Sequence, residues 1–338
     1  MDALDSVFSP SEKNIFQMMT GFFTSKLLAV GVELDLFTWL STQPRTFTEI
    51  QEHFQFAERP CRIFLDTLVS VNLLNCEHGV YRNTSLAEML LVRGRPDFQG
   101  PHVQLFDHLY LACDNLKAAL SENRPMSQDY SYFFEEDQKE VARYSGLMHE
   151  SSVVPAMVLP QYWDFSDSCC VMDVGGGYGR LCLTLASQFP HLELKLYDLP
   201  EVCEKAENFL QTYPHYLTSR IALQPGNFFQ DQLPSGADTI VMMRILHDWP
   251  RERVKMLVAK AFAALPSGGR LLIYETFKDE GPSPGDAAFI SLLLLLISPG
   301  GECRTVEEMN ALLREVGFAS VEVIPTVYFY NLLVATKA

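Results

Sequence analysis

Residues 173–179 read Asp173-Val174-Gly175-Gly176-Gly177-Tyr178-Gly179. They close an apolar run, Cys169-Cys170-Val171-Met172, and open a helical stretch at 179–189. Strand, glycine-rich turn and helix together form the entry to an α/β unit, where glycines allow a tight turn and let a ligand lie against backbone. The spacing excludes two phosphate loops. Arg180 follows where a dinucleotide fingerprint needs its third glycine, and no Gly-Lys-Ser/Thr is present. An acidic residue at the head of the turn repels a pyrophosphate and suits a cationic amino-acid group. Alone, the turn reads equally well as purely structural.

Working outward, apolar runs alternate with helical ones from about residue 165. Strand candidates are 169–174, 192–197, 220–224, 239–244, 270–275, 320–325 and 330–336. Helical stretches lie at 179–189, 201–212, 251–265 and 305–316. This pattern predicts a mostly parallel sheet with helices on both faces. The last two strands, joined through Tyr328-Phe329, leave no room for a helix and must pair antiparallel at one edge. The preceding half reads as helices. Residues 11–40 carry Phe16, Met19, Phe22, Phe23, Leu27 and Leu28 on a broad apolar face. Thr46 to Glu49 looks like a capped helix start, 59–71 like a second helix, and 73–76 with 80–83 like a hairpin around Glu77-His78-Gly79. Helix, helix, hairpin is a winged-helix order. We place the domains at 1–155 and 156–338, by texture alone.

Composition bounds the function. The 338 residues are 48% hydrophobic and 20% charged, a globular balance. The formal net charge is −16, so nucleic-acid backbone and anionic membrane are poor partners, and the winged-helix order reads as a dimerisation or lid module. None of the eight cysteines forms a C-x-x-C pair, which fits buried thiols in a reducing, cytoplasmic setting and offers no metal-ligand pattern. The acidic start at Met1-Asp2 is no signal peptide, and the longest apolar run, 287–297, is too short to span a membrane.

The chemistry-bearing residues fall at strand ends, where open α/β sheets bind ligands. Asp198 ends the second strand, about 20 residues after the glycine turn, where a carboxylate takes both hydroxyls of a ribose. On its own it also suits a helix cap; with the turn before it, a nucleoside site is the better reading. Asn227 and Phe228 end the third strand and offer an amide and an apolar face to an adenine. Arg244-Ile245-Leu246-His247-Asp248-Trp249 ends the fourth. His247 titrates in the range useful to a general base, and Glu275 at the end of the next strand is placed to hold its ring by one nitrogen. The aromatic-rich stretch 101–160 reads mostly as packing, with a minority of rings lining a pocket.

The ordered set D-V-G-G-G-x-G, D-L-P-E-V, G-N-F-F, L-H-D-W and P-G-G-x-x-R-T resembles the S-adenosylmethionine-dependent O-methyltransferases of the plant caffeate, acetylserotonin and bacterial polyketide-tailoring type. The resemblance covers nearly the whole chain. It implies a Rossmann-like α/β methyltransferase domain on a mostly parallel seven-stranded sheet, preceded by a mainly helical, winged-helix-like dimerisation domain, in a homodimer. It implies that Asp173, Gly175 and Gly177 cradle the methionine end of S-adenosyl-L-methionine. Asp198 would hold the ribose, Leu199, Asn227 and Phe228 the adenine, with Arg244 and Ser152 nearby. It implies His247 as base, oriented by Glu275; such a direct oxygen base needs no metal, and no H-x-x-x-H or C-x-x-C pair is present. Met148 and, as pocket candidates, Phe106, Tyr110, Trp163, Phe289 and Asp248 would meet a flat acceptor bearing a phenolic or enolic hydroxyl.

The chain departs from the family pattern twice. Asn227 stands where the family usually has Asp, and keeps an acceptor oxygen. Cys303 stands where a second glutamate normally precedes Arg-Thr, leaving Glu302, one residue earlier, as the nearest acid for a catalytic role. That departure motivates the alternative expectation of a non-methylating enzyme on the same fold.

Overall fold

The computed structural model of the chain describes residues 12–95, 97–123, 152–278, 286–298, 300–326 and 330–338. It divides into two compact units that part between Tyr110 and Leu111. The change of texture near residue 155 and this packing division mark different things. Helix Leu116–Glu122 packs against helix Asp286–Ile297, so helical texture continues well past the point where contacts change partner.

In the first unit, the apolar stretch at 11–40 forms two helices, Glu12–Glu33 and Leu36–Thr42, broken at Asp35 by a left-handed backbone with φ of 54°. Thr46 and Glu49 make a full capping box on helix Phe47–Phe54. Helix Glu58–Ser70 follows, then strands β2 (Leu74–Glu77) and β3 (Val80–Asn83), joined by His78 and Gly79, both with positive φ as such a tight hairpin requires. With the short β1 (Arg45–Thr46) they form a sheet of order β1-β3-β2. Leu36, Phe37, Ile50, Leu65, Leu68 and Leu74 fill the core beneath it. On helix Glu12–Glu33, Met18, Met19, Phe22 and Phe23 stay exposed.

The second unit is built on seven strands. β4 (Cys170–Val174), β5 (Glu193–Asp198), β6 (Ile221–Pro225), β7 (Thr239–Met243) and β8 (Arg270–Thr276) run parallel. β9 (Ser320–Pro325) and β10 (Tyr330–Thr336) complete the order β6-β5-β4-β7-β8-β10-β9, with β10 antiparallel to both its neighbours. The expected strand boundaries agree with these to within one residue. Alternation sends Met172, Val174, Ile240, Met242, Leu271 and Ile273 into one core, and Val171, Val241, Leu272 and Tyr274 into the other. Both faces are covered by helices, which is why these strands read as continuous apolar runs. The strand order reverses between β4 and β7, which opens a crevice at their carboxyl ends. Among the described residues, no helix is long and apolar enough to cross a membrane.

Candidate functional site

The turn after β4 is built as the sequence suggests. Gly175, Gly177 and Gly179 all have positive φ. A side chain on Gly175 would run into Ile245, and a Cβ on Gly176 would lie 2.6 Å from Asp173 Oδ2. A Cβ on Gly177 would meet nothing within 4 Å, so the backbone there faces open space. Asp198 reaches back from β5. Its carboxylate accepts the N–H of Gly177 at 2.8 Å and of Leu199 at 2.7 Å, fastening the turn to the neighbouring strand end. Desolvation still raises its pKa to about 6.

Asp173 is only 2% exposed, and its Oδ2 has no hydrogen-bond partner. Burial, and then the nearby Asp198, push its pKa up to about 7. An orphaned buried acceptor is costly unless a ligand satisfies it. A cationic amino group fits that need, and the carboxylate of Asp198 beside the open glycine backbone fits a ribose. The donor set therefore suits a cofactor that joins an amino acid to a nucleoside.

The third strand end differs from expectation. Asn227 Oδ1, the acceptor assigned to an adenine edge, takes the N–H of Phe229 at 2.9 Å in a local Asx turn. Asn227 therefore shapes its own loop, and its backbone N–H is held by Asp231 at 2.8 Å. Phe228 packs edge-on against Phe229 and Trp249. Lys260 holds this loop by donating to the carbonyls of Phe228 and Asp231, both at 2.7 Å.

His247 lies on a 3-10 turn, Leu246–Asp248, after β7. Arg244 enters that turn with φ of 59°, its N–H donating to Tyr274 O at 3.0 Å. Glu275 does not hold the imidazole. Its Oε1 accepts three backbone N–H groups instead, from Ile245 at 2.9 Å, from Leu246, and from His247 at 3.3 Å. The physical reason is register. Glu275 ends a strand parallel to β7, one step past the Met243–Tyr274 pair, which brings its carboxylate under the amides as that chain turns away. Burial pushes its pKa up to about 7, against those three bonds and the charge of Arg304.

The ring of His247 is left to itself on one side. Nδ1 is buried without a hydrogen-bond partner, and Nε2 lies 3.6 Å from Asp248 Oδ1. Burial, with Arg244 and Arg304 nearby, drives the imidazole pKa down to about 3, so the ring is neutral at physiological pH.

A residue the sequence reading gave no role closes the arrangement. Arg304, 4% exposed, donates to Leu246 O at 3.0 Å and to Trp249 O. Glu302 N–H donates to His247 O at 2.9 Å, and the hydroxyl of Ser298 to Asp248 O. The available signal was a lone arginine beside a glycine pair, which burial alone makes informative. Of the two residues weighed for the second glutamate's place, Cys303 faces inward, fully buried, its thiol raised to about 11 by burial. The carboxylate of Glu302 is half-exposed and turns to Lys278 at 3.6 Å, so the structure does not bring it to the imidazole.

Ser152 stands at the N-cap position of helix Val153–Tyr162 without a side-chain capping bond, and is half-buried. Phe106 and Tyr110, in the first unit, are 52% and 44% exposed, and Phe289 is 66% exposed. Met148 lies outside the described residues. Trp163 does not belong with the site: it stacks under Arg270, at the opposite end of β8 from Glu275. No group of three or more metal-ligating side chains occurs among the described residues.

Known proteins resemble the chain along most of its length. Residues 115–319 match an O-methyltransferase domain, and residues 16–93 an O-methyltransferase dimerisation domain. A 3-hydroxy-5-methyl-1-naphthoate 3-O-methyltransferase of Streptomyces sahachiroi is 33% identical, across 91% of this chain and 89% of that protein. An N,N-dimethyltransferase, OxyT, of Streptomyces rimosus is 29% identical across 90% of each. Human N-acetylserotonin methyltransferase, solved in complex with S-adenosylmethionine, superposes with a TM-score of 0.86 at 25% identity, covering 98% of this chain and 99% of that one.

Proposed function

The chain belongs to the O-methyltransferase family, and on that footing we propose a role for each group at the site. It is an S-adenosylmethionine-dependent O-methyltransferase. The observation that carries the assignment of the cofactor end is Asp173 Oδ2, buried and without a partner. That atom takes the methionyl ammonium, the glycine backbone at 175–177 gives it room, and Asp198 takes the ribose. Leu199, Phe228, Arg244 and Ser152 complete the cofactor contacts, and Asn227 serves by fixing the loop that presents Phe228. Bound there, S-adenosylmethionine supplies an electrophilic methyl group.

The protein's own work is then to align an acceptor oxygen and remove its proton. His247, neutral at working pH, takes the proton at Nε2, and Asp248 offsets the charge that forms. A base of this kind is worth ~10²–10⁴-fold in rate. Glu275 serves by holding the main chain beneath the base. Met148 meets the acceptor. The acceptor is a phenol or enol on a small, flat, largely apolar molecule, with a hydroxynaphthoate the first candidate by likeness to the Streptomyces sahachiroi enzyme. The chain acts as a homodimer through its first unit, whose helix–helix–hairpin order we read as winged-helix-like. Its acidic charge and thiol usage fit a cytoplasmic enzyme that binds neither nucleic acid nor membrane.

The experiment is a titration with S-adenosylmethionine and S-adenosylhomocysteine by calorimetry. An assay of S-adenosylhomocysteine release follows, with 3-hydroxy-1-naphthoate, simple naphthols, an enolic diketone and an aromatic amine. Release with a hydroxyl acceptor, lost in His247→Ala while cofactor binding persists, supports the reading. Release only with the amine would replace the acceptor class. No cofactor binding would overturn the site.

A further inference from the structure

The turn that carries His247 is held at both edges. On the N–H edge, one oxygen of Glu275 takes three consecutive amides, 245 to 247. On the C=O edge, four consecutive carbonyls each have a donor from the segment 298–304. Arg304 serves Leu246 and Trp249, the N–H of Glu302 serves His247, and Ser298 serves Asp248. Neither edge touches Nδ1 of the ring, which has no partner. The protein thus places this imidazole chiefly through its main chain.

We infer that Arg304 is a positioning residue for the methyl-transfer base, setting the main chain of the Leu246–Trp249 turn from its carbonyl side. The inference rests on the reading of His247 as base. Arg304 suits the task better than any other residue type. Its planar fork carries two donors at a fixed separation and spans the two outer carbonyls of the turn at once. A lysine in the same place offers one point charge and cannot hold both in a fixed geometry. The guanidinium is 4% exposed, a costly burial for a charge. The carboxylate of Glu275 across the same peptide units compensates it. The two side chains therefore grip the same turn from opposite edges, one through three amides and the other through two carbonyls. A base shifted by about 1 Å loses on the order of 10²-fold in rate.

The test compares Arg304→Met and Arg304→Lys with the parent, in the full-length protein. The first reading is amide hydrogen exchange at Ile245, Leu246 and His247, against the strands β7 and β8 as internal reference. The second is kcat with 3-hydroxy-1-naphthoate at saturating S-adenosylmethionine, together with S-adenosylhomocysteine affinity. In Arg304→Met, protection at 245–247 falls while the two strands keep theirs. There kcat drops on the order of 10²-fold, with S-adenosylhomocysteine affinity changed less than about threefold. Arg304→Lys recovers part of both. Combined with His247→Ala, Arg304→Met lowers kcat no further, because both act through one group. Unchanged protection at 245–247, an unchanged kcat, or affinity falling in step with kcat overturns the inference. If Arg304→Met fails to fold, Arg304→Lys decides by the same readings. If the parent does not turn over the naphthoate, exchange alone decides the hold on the turn. Turnover that survives in His247→Ala sinks the base assignment and leaves the exchange result standing.

Discussion

Glu275 Oε1 accepts the backbone N–H of His247 at 3.3 Å, while Nδ1 of the same residue's ring is buried without a partner. The carboxylate thus works on the peptide and not on the imidazole. Glutamine keeps an acceptor oxygen in that position and leucine does not. We expect Glu275→Gln to lose about 1–3 kcal/mol, because the buried guanidinium of Arg304 loses the charge that compensates it, and Glu275→Leu to lose more, since three buried amides also lose their acceptor. Urea unfolding of the two variants checks this. Equal losses in both would return the carboxylate's charge to the centre of the argument.

Asp173 predicts opposite signs with and without ligand. Its raised pKa means that it favours the folded protein at low pH, and that this support is lost as pH rises through about 7. Asp173→Asn removes the buried charge. At pH 8 the ligand-free variant melts above the parent, while S-adenosylhomocysteine binds it at least ~10-fold more weakly. Thermal melts with and without that ligand show both effects on one plate.

Protons should follow the ligand for the same reason. At pH 6 the side chain of Asp173 is protonated in the free protein and must ionise to meet an ammonium group. Binding of S-adenosylhomocysteine then releases up to about one proton. At pH 8 the release is much smaller. Calorimetry in two buffers of different ionisation enthalpy measures it, and proton uptake at pH 6 would contradict the assignment.

His247 is neutral down to a pKa of about 3, so its availability as a base sets no threshold near neutrality. The profile of kcat/KM for the acceptor against pH, at saturating S-adenosylmethionine, should show no acidic limb from His247 between pH 5 and 8. A limb centred near 6.5 would mean an ordinary solvated histidine.

The thiols separate cleanly by burial. Cys76, Cys113 and Cys169 are exposed, and Cys61, Cys170, Cys182, Cys203 and Cys303 are buried. Native protein should give three fast-reacting thiols with an aromatic disulfide reagent and the rest on unfolding. Fast labelling of Cys303 would show that its pocket opens in solution.

Much of this was legible beforehand, and the limits are instructive. The strands β4 to β8 announced themselves because sheets covered on both faces need apolar side chains at every position. Asp173, Asp198 and His247 stood out only as a set at neighbouring strand ends, since each alone reads as a turn, a helix cap or a structural histidine. What Glu275 touches was not legible. It depends on the stagger of two parallel strands, and a carboxylate at a strand end reads the same whether it meets a ring or three amides. The local bond of Asn227 was not legible for a similar reason, since an amide after a glycine closes its own turn as readily as it meets a ligand. Whether Glu302 or Cys303 faced inward was decided by the loop's path, and loops carry no period to read. Arg304 was quoted in the motif yet given no task, because an arginine reveals itself only through burial.

A base fastened by its peptide keeps a freedom that one fastened by its ring gives up. Among the described residues Nδ1 has no partner, so no hydrogen bond at that nitrogen chooses the tautomer of His247, and Asp248, 3.6 Å from Nε2, acts on the ring electrostatically at close range. In the proposed role of His247 as base, the incoming hydroxyl then makes that choice by approaching Nε2. Selectivity among several hydroxyls on one acceptor accordingly resides in the walls that orient the molecule, and wall substitutions can redirect regiochemistry without rebuilding the proton acceptor.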